Sequence, residues 1–145
     1  MKNRKVYVTT FCGVAVAMNI VLGIITSALG IPLYLDTLGT VLSAAILGPV
    51  PGIIVGALSN IITGLIYSVS DIPFCLVNMA VGLIVGLVAK KWKFGIIPAI
   101  ITGVALSFIC PAIGTPIGIY VYGGLNGSVS DMPVSYTHLR AHETL

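Results

Sequence analysis

The sequence predicts an all-α integral membrane protein with five transmembrane helices. Its 145 residues are 57% hydrophobic and only 8% charged, and the mean hydropathy is +1.11. Soluble domains usually carry about 25% charged residues. The net charge of +3 is too small to indicate nucleic-acid binding. The three cysteines stand far apart in apolar runs, which is typical of buried thiols rather than of a disulfide framework.

Apolar runs separated by short breaks define the predicted spans, because a helix needs roughly 20 apolar residues to cross a bilayer. The first run follows the basic sequence MKNRK and covers about residues 6–29, without the small-residue cleavage site of a signal peptide. The later runs end at GPVPG, SVSD and KKWK, and cover about residues 36–47, 52–68, 72–89 and 94–113. The glycines and Pro116 of the following GTPIGIYVYGGLNGSVSD predict irregular backbone. Residues 1–131 thus form a single membrane domain.

The distribution of charge predicts a multi-pass protein of the cell membrane with a cytoplasmic N-terminus. With five spans, the basic residues that flank the first and fourth spans fall on one side: Lys2, Arg4, Lys5, Lys90, Lys91 and Lys93. The aspartates before and between spans fall on the other side: Asp36, Asp71 and Asp131. We therefore expect the polar, outer side to receive any ligand.

The end of the chain, PVSYTHLRAHETL, differs from everything before it. It holds both histidines, His138 and His142, close to Glu143, and a metal site is one interpretation. However, Val134 to Thr144 resembles the translation of a sequencing-library adapter, so residues 134–145 are interpreted as a non-native tail. We expect the natural protein to continue past about Asp131 with a sixth helix.

Small residues four apart predict where helices pack closely in lipid. The stripes are Thr9, Gly13 and Ala17; Gly52, Gly56, Asn60 and Gly64; Asn78, Gly82 and Gly86; and Ala99, Gly103 and Ser107. Asn60 and Asn78 lie on such stripes, roughly 12 Å and 9 Å below the outer ends of their spans. Two interpretations stay open: the asparagines line a shared cavity that opens outward, or they bond to each other between helices.

Asp36 is the acidic residue nearest to an apolar span. It stands at or just before the start of the second predicted span, where free N–H groups favour an anion, so it is a candidate N-cap. Thr40 follows one turn later and Tyr34 precedes it, so the same carboxylate is also a candidate ligand group. The sequence has no HExxH, GxSxG or Walker A motif, and we expect neither enzymatic activity nor a metal or other cofactor in this chain.

The block LYLDTLGT at Leu33–Thr40, with Ile46–Pro49 and Asn60, resembles the substrate-specific (S) component of energy-coupling factor transporters. The resemblance implies a six-helix membrane protein that binds a vitamin or related micronutrient at its outer side. It also implies docking onto a transmembrane coupling subunit and two cytoplasmic ATPases, which use the ATP. Gly13 and Ala17 match the spacing of the family's docking face on the first helix, with glycine replacing the usual first alanine.

The function expected from the sequence is therefore that of a substrate-binding subunit of an ATP-driven importer. The candidate substrate-binding residues are Tyr34, Asp36, Thr37, Thr40, Asn60, Asn78, Tyr120, Tyr122 and Asn126. The last two tyrosines and Asn126 are equally typical of interfacial anchors. Two other functions stay open: a ligand-sensing membrane domain that signals to a cytoplasmic output domain, and a purely structural membrane subunit whose stability no small molecule changes.

Overall fold

The computed structural model describes residues 2–30, 35–92 and 95–122, and this part of the chain is helical without any strand. Its α-helices are α1 (Lys2–Leu29), α2 (Leu38–Leu47), α3 (Pro49–Ile66), α4 (Cys75–Lys91) and α5 (Ile96–Tyr122). Two 3-10 segments, Leu35–Thr37 and Val69–Phe74, precede α2 and α4. The prediction of an all-α chain with long apolar helices is confirmed. The non-native tail predicted at residues 134–145 lies outside the described residues.

The predicted number of five spans is wrong for the described residues. Four helical segments are long and apolar enough to cross a membrane: Asn3–Leu29, Pro49–Ile66, Val69–Lys91 and Ile96–Val121. The predicted second span is α2, whose 10 residues extend only about 15 Å, against roughly 30 Å of hydrocarbon. Its preceding 3-10 turn adds about 6 Å. The five-span arrangement, and with it the six-helix bundle, therefore does not fit this structure.

The prediction of irregular backbone after residue 113 is also wrong as far as Tyr122. Instead, α5 continues as one helix through Pro111 and Pro116. Prolines interrupt a helix less in a membrane than in water, because local adjustments and neighbouring groups satisfy the backbone groups that each ring releases. A helix of 27 residues is about 40 Å long, so α5 exceeds the thickness of the hydrocarbon layer.

The glycine stripes on α3 and α4 bring the backbones of these two helices into contact, as predicted. A Cβ on Gly82 would lie 2.5 Å from the carbonyl carbon of Gly52, and a Cβ on Gly56 would lie 2.7 Å from the carbonyl oxygen of Asn78. Ala44 of α2 packs into the same contact, since a Cβ on Gly52 would lie 2.5 Å from the Ala44 methyl group. The centre of the bundle is therefore α2, α3 and α4.

Charged groups lie at opposite ends of this bundle. The start of α1, the turn between α2 and α3, and the end of α4 meet at one end, which we call the basic end and which contains Arg4, Gly48 and Lys90. Asp36 packs near Gly23, about 28 Å along α1 from Arg4. Asp71 lies in the connection between α3 and α4, at the other end of α3 from Gly48. Which end faces the cytoplasm stays a prediction.

Candidate functional site

Asn19 connects three helices in the interior of the bundle. Its side chain is 1% exposed. The amide nitrogen Nδ2 donates to Thr40 Oγ1 on α2 at 2.9 Å and to Ser59 Oγ on α3 at 3.0 Å. The amide oxygen Oδ1 accepts from the backbone N–H of Gly39 at 2.6 Å. Both donor hydrogens of the amide are thus used, and this group is a closed interhelical connection.

This connection explains how α2 can begin inside the membrane. The first N–H groups of a helix have no partner within the helix, and lipid offers none. Asn19 supplies a partner for the N–H of Gly39, in the first turn of α2. The approach is close enough that a Cβ on Gly39 would overlap the carbonyl oxygen of Ala15, so glycine is required there.

A second hydrogen bond joins α3 to α4 on the neighbouring face of α3. Asn78 Nδ2 donates to Asn60 Oδ1 at 2.9 Å, and Asn78 is 2% exposed. Of the two interpretations of these asparagines, the structure shows the interhelical hydrogen bond. However, Asn78 Oδ1 has no hydrogen-bond partner within the described residues, and neither has the hydroxyl of Ser43, which is fully buried on α2.

These groups form one layer across the bundle, which we call the polar layer and which consists of Asn19, Thr40, Ser59, Asn60 and Asn78. Ser59 and Asn60 are consecutive on α3, so the two hydrogen-bonded groups lie on adjacent faces of one helix. Ser59 is about 15 Å along α3 from Pro49, and Asn78 is about 18 Å along α4 from Lys90. The polar layer thus lies near the middle of a hydrocarbon layer of about 30 Å.

Asp36 and Thr37 lie beside this layer, at the start of α2. Both are half-buried in the 3-10 turn that precedes the helix. A Cβ on Gly23 would lie 3.2 Å from Asp36 Cβ, so the turn packs directly on α1. The interpretation of Asp36 as the N-cap is wrong: the cap position is Thr37, without a side-chain capping hydrogen bond. The 3-10 turn moves the helix start one residue further along the chain.

The remaining predicted ligand groups are not part of the polar layer. Tyr120 lies near the end of α5 and is 92% exposed, so it contacts little of the bundle. Tyr122 is the last residue of α5, and its side chain lies outside the described part of the chain. Tyr34 and Asn126 also lie outside the described residues. The structure therefore brings together Thr40, Asn60 and Asn78, with Asp36 and Thr37 adjacent.

Asn19 and Ser59 belong to the polar layer and were not predicted from the sequence as site residues, and neither was the buried Ser43 of α2. Asn19 had a signal, because it is the single amide side chain in the apolar run of residues 6–29. Polar side chains inside membrane spans form interhelical contacts or functional sites by default. The sequence contains no such signal for Ser59. Its hydroxyl also donates to the carbonyl of Val55 one turn earlier, as any serine on a helix can do.

The predicted docking residues lie on an open face of α1. Gly13 and Ala17 are both exposed, and a Cβ on Gly13 would meet no atom within 4 Å. The small-residue stripe of α1 therefore packs against none of the described helices, in contrast to the stripes of α3 and α4. Its role in docking stays a prediction.

The described residues contain no group of three or more His, Cys, Asp or Glu side chains that could hold a metal ion. The expectation that this chain uses no metal or cofactor of its own stays a prediction. No family model, curated protein or solved structure matches the chain. The resemblance to S components therefore depends on the quoted sequence blocks alone.

Proposed function

We propose that this chain is the substrate-binding membrane subunit of an ATP-driven importer of the energy-coupling factor type. Its ligand is a vitamin or related micronutrient that enters from the side opposite the basic end. The observation that supports this proposal is the polar layer, with the buried and unpartnered Asn78 Oδ1. Polar groups at the middle of a membrane are costly, and they commonly mark substrate pathways.

The half-length helix α2 suits such a site. In many transporters, substrates bind near the bilayer midplane where a helix begins or breaks, because backbone groups and polar side chains are available there. The start of α2 places Asp36 and Thr37 beside the polar layer, on the side that faces away from the described cations. A ligand with amide or hydroxyl groups would bond to Asp36, and the unpartnered Asn78 Oδ1 is a further acceptor in the polar layer.

The orientation and partners of the subunit follow from its charges and its open face. By the positive-inside rule, the basic end with Arg4 and Lys90 faces the cytoplasm, where the two ATPases bind, while the coupling subunit lies beside this chain in the membrane. The exposed stripe of Gly13 and Ala17 on α1 would admit a coupling helix at short distance. ATP hydrolysis belongs to these partners, since the chain carries no Walker A motif.

A ligand screen tests the proposal. The full chain, purified alone and with its coupling subunit and ATPases, is heated in the presence of single water-soluble vitamins and nucleobases. We expect one compound to raise the unfolding temperature. Asp36→Asn should weaken its binding about tenfold, the effect of losing one charge-assisted hydrogen bond, while membrane insertion is retained.

The matched control is Asp71→Asn, which alters the other described carboxylate at the same end and should leave the affinity unchanged. If no compound changes the unfolding temperature, the chain is a structural subunit and the proposal is wrong. Binding without any association with ATPases would favour a sensor domain instead.

A further inference from the structure

The basic end carries a groove that has no role in the proposed capture of substrate. It has a volume of about 400 Å³ and lies between Arg4 of α1 and Lys90 of α4. Its walls are the end of α2 and the following turn, residues 44–49, together with Ala89. Apart from the two cations, the lining side chains are small or aliphatic. The groove is thus lined by small and aliphatic side chains together with the two cations, which we call the rim charges.

No described carboxylate balances these two cations. Asp36 is about 28 Å away along α1, and Asp71 lies at the far end of α3, whose 18 residues extend about 27 Å. Helix dipoles do not oppose these cations, because α1, α3 and α5 begin toward this end while α2 and α4 end at it. The side chains of Arg4 and Lys90 therefore determine the sign of the field in the groove.

The neighbouring Trp92 indicates the depth of the groove in a membrane. The Lys91 ammonium lies 5.4 Å from the centre of the Trp92 ring, and this indole is half-exposed. Exposed tryptophan beside lysine is typical of the layer of lipid headgroups. Ile46 on the groove wall is 57% exposed, so apolar surface leads from the groove toward the acyl chains.

We propose that the groove between Arg4 and Lys90 binds the headgroup of an anionic phospholipid. Its phosphate would lie between the two cations, and its acyl chains would extend along the exposed side of α2. The volume falls within the range of about 300–1,000 Å³ that is usual for small-molecule sites. Basic recesses between helices on the cytoplasmic side suit such headgroups. This inference depends on the chain lying in a membrane with its basic end on the cytoplasmic side, and it does not depend on the proposed transport function.

The test measures lipid binding by native mass spectrometry of the delipidated full chain in a non-ionic detergent. The probes are phosphatidylglycerol, phosphatidylcholine and inorganic phosphate. The double variant Arg4→Gln, Lys90→Gln removes both rim charges. We expect it to bind phosphatidylglycerol about thirtyfold more weakly, which is about fivefold for each direct ion pair with the phosphate. Phosphatidylcholine and inorganic phosphate should bind weakly to every form.

The matched control is Lys5→Gln, Lys91→Gln, which removes the same net charge from adjacent positions of the same two helices outside the groove. Its affinity should fall less than about fivefold. Equal losses in both double variants would show general attraction and overturn the proposal, as would equal binding of inorganic phosphate. If Arg4→Gln, Lys90→Gln does not fold, Ala89→Phe fills the groove without changing its charge. Loss of phosphatidylglycerol binding in that variant supports the proposal, and unchanged binding overturns it.

Discussion

Asn19 is the residue on which the interior of this bundle most depends. One amide satisfies the hydroxyls of Thr40 and Ser59 and the backbone N–H of Gly39. Each of these partners belongs to another helix or to the start of one, and all three are buried from solvent. The hydrogen bonds of Asn19 therefore fix the position of α2 between α1 and α3.

Asn19→Leu should reduce the free energy of unfolding by about 2 kcal/mol, since three hydrogen bonds at about 0.6 kcal/mol each are lost. Asn60→Leu is the matched control, because it replaces an amide of the same polar layer that makes one such bond. Its cost should be about 0.6 kcal/mol. Reversible unfolding in mixed detergent micelles measures both, and equal losses would contradict the central role of Asn19.

The sequence predicts which polar side chains are buried between helices better for α3 and α4 than for α1. Asn60 and Asn78 could be placed opposite each other because glycines four residues apart identify the buried face of each helix. Gly23 follows Asn19 by four residues, which is the same kind of signal. However, α1 has a second small-residue stripe at Thr9, Gly13 and Ala17, so spacing alone does not show which face of α1 meets α2. The N-cap could not be assigned either, because a 3-10 turn shifts the helix start to Thr37.

Among the elements, α2 departs most from what the sequence predicts. Residues 36–47 are apolar and end at a Pro/Gly turn, which is also the pattern of a short span. Hydropathy gives the length of an apolar run but not the depth at which it begins. The depth follows from contacts distant in sequence, those of Gly39 with Ala15 and Asn19, which no local pattern encodes.

Gly82→Ala should destabilise the protein by about 1–3 kcal/mol, because the new Cβ would meet the Gly52 backbone at 2.5 Å and force α3 and α4 apart. Gly103→Ala on α5 is the control, since no atom lies within 4 Å of its Cβ position. That variant should be as stable as the natural sequence, or more stable by up to about 1 kcal/mol. Thermal unfolding of both variants in one detergent is the measurement. Similar losses at both glycines would show that α3 and α4 are not in backbone contact.

Gly13→Leu should leave the isolated chain stable and impair its association with the coupling subunit and ATPases, if the open face of α1 is the docking face. A leucine fits there without overlap, because Gly13 has no neighbour within 4 Å. Gly103→Leu introduces the same side chain at an open position of α5 and should leave association unchanged. The measurement is the yield of partner subunits that co-purify with each variant. An unchanged yield with Gly13→Leu would exclude this face as the docking site.

For the molecule as a whole, composition and charge predict more of the structure than any sequence motif does. The apolar composition correctly predicts a helical chain with long apolar helices. The described cations and aspartates are separated along the bundle, and the topology in the membrane stays a prediction. The number of spans was not predictable, because short and long apolar runs have the same composition. Of the described helices, α5 is the most exposed, since it packs mainly against α4, which agrees with a helix that faces lipid.

Sidedness is the central claim, because both capture from outside and coupling from inside require it. Single cysteines at Ser70 and Lys91 report it directly in a protein whose Cys12, Cys75 and Cys110 are replaced by alanine. Both positions are exposed; Ser70 lies in the 3-10 segment before α4, and Lys91 is the last residue of α4. An impermeant maleimide should label Ser70→Cys in intact cells, and should label Lys91→Cys only after the membrane is opened. Labelling of both positions from the same face would contradict the account.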